Sequence, residues 1–215
     1  MPHTGKGLSL LFLTAAMACS QSVAVQDGRI VFTSQNGIRK PITDGGLDSD
    51  PSLSFDNREV VFVRGTPGHT IETGHGDDDD NELWIASVDG EKQPRRILAG
   101  GDFIDGPNVA LGAFGSPQFS PDAQRVYFYV AAFATGGLAM LLDLASGKTK
   151  FLFYGGVEVI RSGKYRGFLI NGNYTLNDFG RVTIYWLADP NGKKVTRIGE
   201  TESDLRRFKS KHLIR

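Results

Sequence analysis

The densest concentration of ligating side chains in this sequence runs from Gly65 to Asn81 and holds His69, Glu72, His75 and the run Asp77-Asp78-Asp79-Asp80. Hard ions such as calcium bind several carboxylate oxygens, so Asp77, Asp78, Asp79 and Asp80 are the candidate ligands for a divalent cation. The spacing departs from the calcium loop D-x-[DN]-x-[DN]-G-x₅-E. Like charges in a row also repel, which favours a solvated insertion with no cofactor. Hydrolysis would need a nucleophile, a base and oxyanion donors. The nucleophile elbow G-x-S-x-G is absent, and of the four histidines only His69 and His75 fall outside the two chain ends. The reading is no enzyme. The alternative is a hydrolase or lyase assisted by a metal in the acidic stretch 72–80.

Cys19 is the other reactive side chain, and it is the sole cysteine. It follows Lys6, an apolar run from Leu8 to Ala18, and the small-residue pattern Ala16-Met17-Ala18. That order is the anatomy of a secretory signal peptide spanning residues 1–18. An apolar run of about 11 residues spans roughly 16 Å as helix, short of the ~30 Å of a bilayer core. Cys19 directly after the cleavage pattern resembles a bacterial lipoprotein signal, in which the cysteine is lipidated and becomes the first mature residue. Ala16 stands where such signals usually carry Leu. The alternative is ordinary cleavage after Ala18 or Ala24. The expected location is the periplasm, with anchoring to the outer membrane if Cys19 is lipidated and secretion otherwise. With one cysteine, no internal disulfide forms, and stability must come from burial and strand pairing.

Twenty-four acidic and 24 basic residues cancel, so charge gives no reason to expect nucleic acid, and membrane contact is expected only through Cys19. Glycine, at 27 residues, is nearly twice its usual ~7%. Its placement explains the excess. Two segments align: Asp50 to Val63 with Gly115 to Tyr129, allowing one residue of slip. Each reads as a short strand, a turn (Phe55-Asp56-Asn57 or Pro121-Asp122-Ala123), then a β-branched and aromatic strand. Val157 to Ile170 is a weaker third copy. Hairpins follow each copy at Asp89-Gly90, Ser146-Gly147 and Asn191-Gly192, and a further one lies in front at Asn36-Gly37. The units end at Gly46, Gly101, Gly156 and Gly199, spaced 55, 55 and 43 residues. Four antiparallel strands at that period describe propeller blades.

Ser120-Pro121-Asp122, preceded by Pro117-Gln118-Phe119 and followed by an aromatic strand, resembles the WD40-like repeat of TolB-type β-propellers. The resemblance covers roughly residues 28–200. That family usually ends the turn in Gly, whereas this sequence has Asn57 and Ala123. Asn enters the left-handed region readily, and Ala does so at a steric cost. The resemblance implies a periplasmic protein-binding scaffold.

The expected fold is therefore all-β: three complete blades at 47–101, 112–156 and 157–200, and a front piece at 28–46 supplying two outer strands. Some 3.5 blades make either a small four-bladed ring or an open arc. An open arc exposes a sheet edge, a natural place for a partner or for a second copy in a dimer. Thr201-Glu202-Ser203-Asp204 carries capping-box spacing, so the basic tail 201–215 is expected to be a short helix. Asp102, Asp105 and Asn108, in a Gly-rich connection between blades, are the candidate partner-binding loop. The expected function is a cell-envelope scaffold binding a protein or peptide, with a periplasmic immunity protein as a minor alternative.

Overall fold

The computed structural model describes residues 20–73, 76–101, 112–131, 137–177 and 180–214. They form four antiparallel sheets and one helix. The first sheet has three strands in the order β1 (Ser22–Gln26), β2 (Arg29–Thr33), β3 (Arg39–Pro41). It begins earlier than the hairpin at Asn36-Gly37 alone indicates and gains β1. The second sheet is β4 (Asp48–Leu53), β5 (Glu59–Thr73), β6 (Gly76–Ser87), β7 (Arg95–Leu98). The third is β8 (Phe114–Phe119), β9 (Arg125–Val130), β10 (Leu138–Asp143), β11 (Thr149–Tyr154). The fourth is β12 (Gly156–Val159), β13 (Leu169–Asn177), β14 (Gly180–Ala188), β15 (Lys194–Gly199). Helix α1 (Glu202–Lys211) follows, with Thr201 and Asp204 forming the expected capping box.

The sheets stack face to face in chain order, and alternation along each strand divides its side chains between two neighbours. On β5, Val60 and Phe62 join Ile30, Phe32 and Leu53 against the first sheet. Val61 and Val63 instead join Phe119, Val126, Phe128 and Met140 against the third. On β9 and β10, Tyr127, Ala139 and Leu141 turn the other way, to Val159, Leu169 and Ala188 of the fourth sheet. Strands buried on both faces need apolar side chains at successive positions, which is why β9 and β10 read as near-continuous apolar runs. The last interface is different in kind. Ile160, Ile170 and Leu187 pack against Leu205 of α1 and Ile214 after it.

These four clusters form a line and do not close a ring. No cluster among the described residues contains both first-sheet and fourth-sheet side chains. The outer face of the first sheet carries Gln26, Asp27, Arg29 and Arg39 around Val31 and Pro41, a polar end of the kind a stacked array needs for solubility. The helix covers the opposite end. The fold is an open arc.

The repeat is more regular than the aligned sequences suggest. β4 and β8 each carry a two-residue irregularity, Asp50-Pro51 and Ser116-Pro117, opposite their partner strands. Asp50 and Ser116 both have φ 48°. Asp50 therefore matches Ser116, with no slip, and the turns match residue for residue. Asn57 has φ 59° and Ala123 φ 54°, so Ala123 adopts the left-handed conformation in spite of its Cβ. Ala123→Gly should therefore stabilise the chain by about 0.5–1 kcal/mol, the steric relief outweighing the added freedom of the unfolded chain. Thermal unfolding should show a midpoint about 1–4 °C higher; a lower midpoint would mean that the turn is unstrained.

Candidate binding face

Most of the side chains picked out by composition lie outside what the structure describes. The stretch 65–81 is not a free loop. β5 and β6 stay paired beyond an irregularity at Gly65–Thr70, with Glu72 opposite Asp77, Ile71 opposite Asp78 and Thr70 opposite Asp79. The side chains of 71–79 lie outside the described residues, as do Cys19, Asp102, Asp105 and Asn108. Asp80 is described, and its Oδ1 is buried with no hydrogen-bond partner among the described residues. No cluster of three metal-ligating groups occurs among those residues.

What the fold does assemble is a set of protected strand edges. The inner edge of each complete blade is capped by a side chain from a different sheet. Arg161 donates from Nη1 to Leu53 O (2.8 Å) and from Nη2 to Ser54 O (2.9 Å) at the end of β4. Asp50 accepts from Ser116 N on β8 (2.9 Å). Gln118 donates to Val157 O (3.0 Å) and accepts from Val159 N (2.8 Å) on β12. The outer strands carry charge instead, with Arg39-Lys40-Pro41 on β3, Arg95-Arg96 on β7, Lys150 on β11 and Lys194 and Arg197 on β15. Both devices discourage strand addition.

β1 has neither device. Its sequence, Ser-Val-Ala-Val-Gln, holds no charge and no proline, and Val25 is exposed. Ile42 N donates to Ile30 O, and Ile30 N donates to Thr43 Oγ1, so the Ile30 peptide groups point toward β3. Its partner Val25 must therefore turn its own N–H and C=O to the open edge, as must Val23 two residues earlier. A groove of about 450 Å³ opens beside the start of β1, between Gln21, Phe32, Ile38, Lys40 and Arg58.

One end of the arc presents the turns that join the first two strands of each complete blade. In two blades the turn is the same structure. Ser54 Oγ donates to Asp56 Oδ1 (2.6 Å) while accepting from Arg58 N and Glu59 N. Ser120 Oγ donates to Asp122 Oδ1 (2.5 Å) and accepts from Arg125 N. These hydroxyls hold both carboxyls below their ordinary value of 3.8. In the fourth sheet the Ser-x-Asp pattern is missing, and the connection lengthens to 160–168, closed by Gly167 N to Ile160 O and Ile160 N to Phe168 O. Gly167, at φ 87°, lies where a Cβ would strike Pro121 of the neighbouring turn.

This longer connection delivers Arg161 and Arg166 to one aromatic ring. Their guanidinium carbons lie 4.5 and 4.9 Å from the centroid of Phe55, which belongs to the second sheet's turn. Among the described residues neither guanidinium has a carboxylate within ion-pair reach. Burial, and then the Arg166 charge, pull Arg161 below the usual arginine range. Lys164 sits over Tyr165, itself stacked on Phe208 of α1 and against His212. Sequence reasoning passed over these residues because it weighed the third copy of the repeat by how poorly it matched. The mismatch was the signal.

No family model matches this chain, and no curated protein matches it. Among solved structures, the β-propeller domain of the Trilobed protease from Pyrococcus furiosus, described as having an open velcro topology, superimposes with a TM-score of 0.51 at 12% identity, over 80% of this chain and 48% of that one. Porphyromonas gingivalis dipeptidyl peptidase 4 gives 0.50 at 14% identity, over 84% and 31%. The shared feature is the propeller. TolB from Acinetobacter baumannii superimposes at 0.37 with 14% identity, over 85% and 51%, too loosely to carry weight. The chain spans about half the length, or less, of these structures.

The turn carboxyls give a pH dependence of known sign. A carboxyl whose folded pKa is depressed contributes stability above its ordinary value and loses that contribution as pH falls through the folded value. Asp56 and Asp122 should therefore steepen acid unfolding below pH 3.8. The double variant Ser54→Ala, Ser120→Ala should be less stable at neutral pH and show a shallower slope of unfolding free energy below that pH; an unchanged slope would remove the hydroxyls as the cause.

Proposed function

We propose that this chain is a non-catalytic, exported binding module that recruits an extended segment of a protein partner by strand addition to β1. The supporting observation is the contrast among edges: three inner edges are capped by side chains from other sheets, the outer strands are charged, and among the described edge strands β1 alone is plain. The first sheet is one strand short of its three neighbours, so an added strand completes a blade. Main-chain hydrogen bonds then supply affinity, and the flanking groove and turns supply selectivity. Cleavage between Ala18 and Cys19 would leave β1 whole, whereas cleavage after Ala24 would divide it, which favours Cys19 as the first mature residue. The propeller domains it resembles occur in peptidases, but the sequence lacks the elbow motif. The isolated chain should cleave neither peptide p-nitroanilides nor p-nitrophenyl esters.

A photo-crosslinking residue at position 25, expressed in the native cell, should trap one discrete protein adduct. A second substitution, Val23→Pro, which removes an edge-facing N–H, should suppress that adduct while circular dichroism stays unchanged. An adduct formed equally with Val23→Pro, or a smear of unrelated species, would contradict strand addition.

A further inference from the structure

We propose that Arg161 and Arg166, gathered on the Phe55 ring, form a carboxylate-binding subsite for an acidic peptide segment. The subsite is independent of β1: it sits on the turns of the second and fourth sheets and does not require strand addition. Two guanidiniums share one ring, at 4.5 and 4.9 Å. Arg161 spends two of its five N–H donors on Leu53 O and Ser54 O, which fix its orientation and leave three. The Arg166 guanidinium makes no hydrogen bond or ion pair among the described residues, and the residue is exposed. Like charges held together without a counter-charge oppose folding, and a fold that keeps such a conflict is commonly using it.

The surroundings favour an anion and not a cation. Lys164 lies two residues before Arg166, and Lys211 and His212 lie at the C-terminal end of α1; burial first, then the Lys164 and Lys211 charges, lower the His212 pKa. Four aspartates on the same end of the arc are already engaged within their own turns. Asp56 and Asp122 accept from Ser54 and Ser120, and Asp143 from Ser146. Asp189 accepts from Asn191 N and Lys193 N. None of them pairs with Arg161 or Arg166. A planar, pre-oriented fork is suited to carboxylates, and the arginine stems and Phe55 offer apolar surface to a peptide's side-chain methylenes. An acidic segment supplies both.

The test titrates a capped tetraglutamate peptide into the full chain while following the arginine Nε–Hε resonances. The resonances of Arg161 and Arg166 should move together and saturably, capped tetraglutamine should leave them in place, and Arg166→Gln should weaken binding roughly tenfold, the loss of one charge-assisted pair. Because the Arg166 side chain is exposed and makes no hydrogen bond among the described residues, that variant should fold normally; Arg161→Lys, which keeps the charge and loses the fork, should also weaken binding. Four results would overturn the assignment: equal affinity in Arg166→Gln, equal binding of tetraglutamine, glutarate matching the peptide, or a response confined to inorganic phosphate or phosphatidylglycerol vesicles. The glutarate result would point to a free dicarboxylate, and the last to a phosphate-bearing ligand.

Discussion

Burial of sheet faces against their neighbours in a line is the interaction on which this structure depends. Without an internal disulfide, and with one short helix among the described residues, the chain stabilises itself by giving each interior sheet two dry faces. β5 divides Val60 and Phe62 from Val61 and Val63, and β9 divides Val126 and Phe128 from Tyr127. Each fully buried aliphatic or aromatic side chain contributes roughly 1.5–3 kcal/mol, so every interface is worth several such residues. Among the described residues no apolar cluster joins the first sheet to the last. Stability in such an array is a sum of neighbour terms, as in stacked repeats.

A linear stack must solve two problems that a closed ring avoids, its end faces and its strand edges. The end faces are handled by composition: polar and charged groups on the first sheet, and an amphipathic helix on the fourth whose Leu205 covers Ile170 and Leu187. The edges are handled one at a time, by Asp50, Gln118 and Arg161, each reaching from its own sheet to cap a strand in another. Arg161 does two things at once. It ties the fourth sheet to the second across the mouth of the arc, and in doing so it holds a cation where no described carboxylate lies within ion-pair reach. β1 stands apart because, among the described residues, no side chain from another sheet hydrogen-bonds its main chain.

The repeat was legible because it rests on local chemistry. Asp-Gly and Asn-Gly hairpins, the Ser-x-Asp turn and doubly buried apolar strands each leave a mark within a few residues, and the α1 capping box was readable from Thr201 and Asp204 alone. Legibility failed where meaning came from distant partners. Gln118 is an ordinary polar residue until Val157 and Val159 are brought beside it, and Arg161 is a loop arginine until Leu53 arrives 108 positions away. β1 was overlooked because its five residues lie close to the leader-like segment and lack a repeat partner. Asp77 to Asp80 drew attention as a charge run, but pairing in the β5–β6 arm depends on register, which composition does not reveal. Ala123 adopts the turn conformation because the wiring around Ser120 and Asp122 outweighs the cost of a single Cβ.

Native-state amide hydrogen exchange in Leu205→Ala tests the serial stack most directly. Weakening the helix cap should lower protection in β12–β15 strongly, in β8–β11 moderately, in β4–β7 weakly and mostly where Arg161 meets the end of β4, and in β1–β3 scarcely at all, since damage spreads through touching sheets. Equal loss of protection in all four sheets, or loss concentrated in the first sheet, would show that the two ends are coupled and that the sheets close a ring.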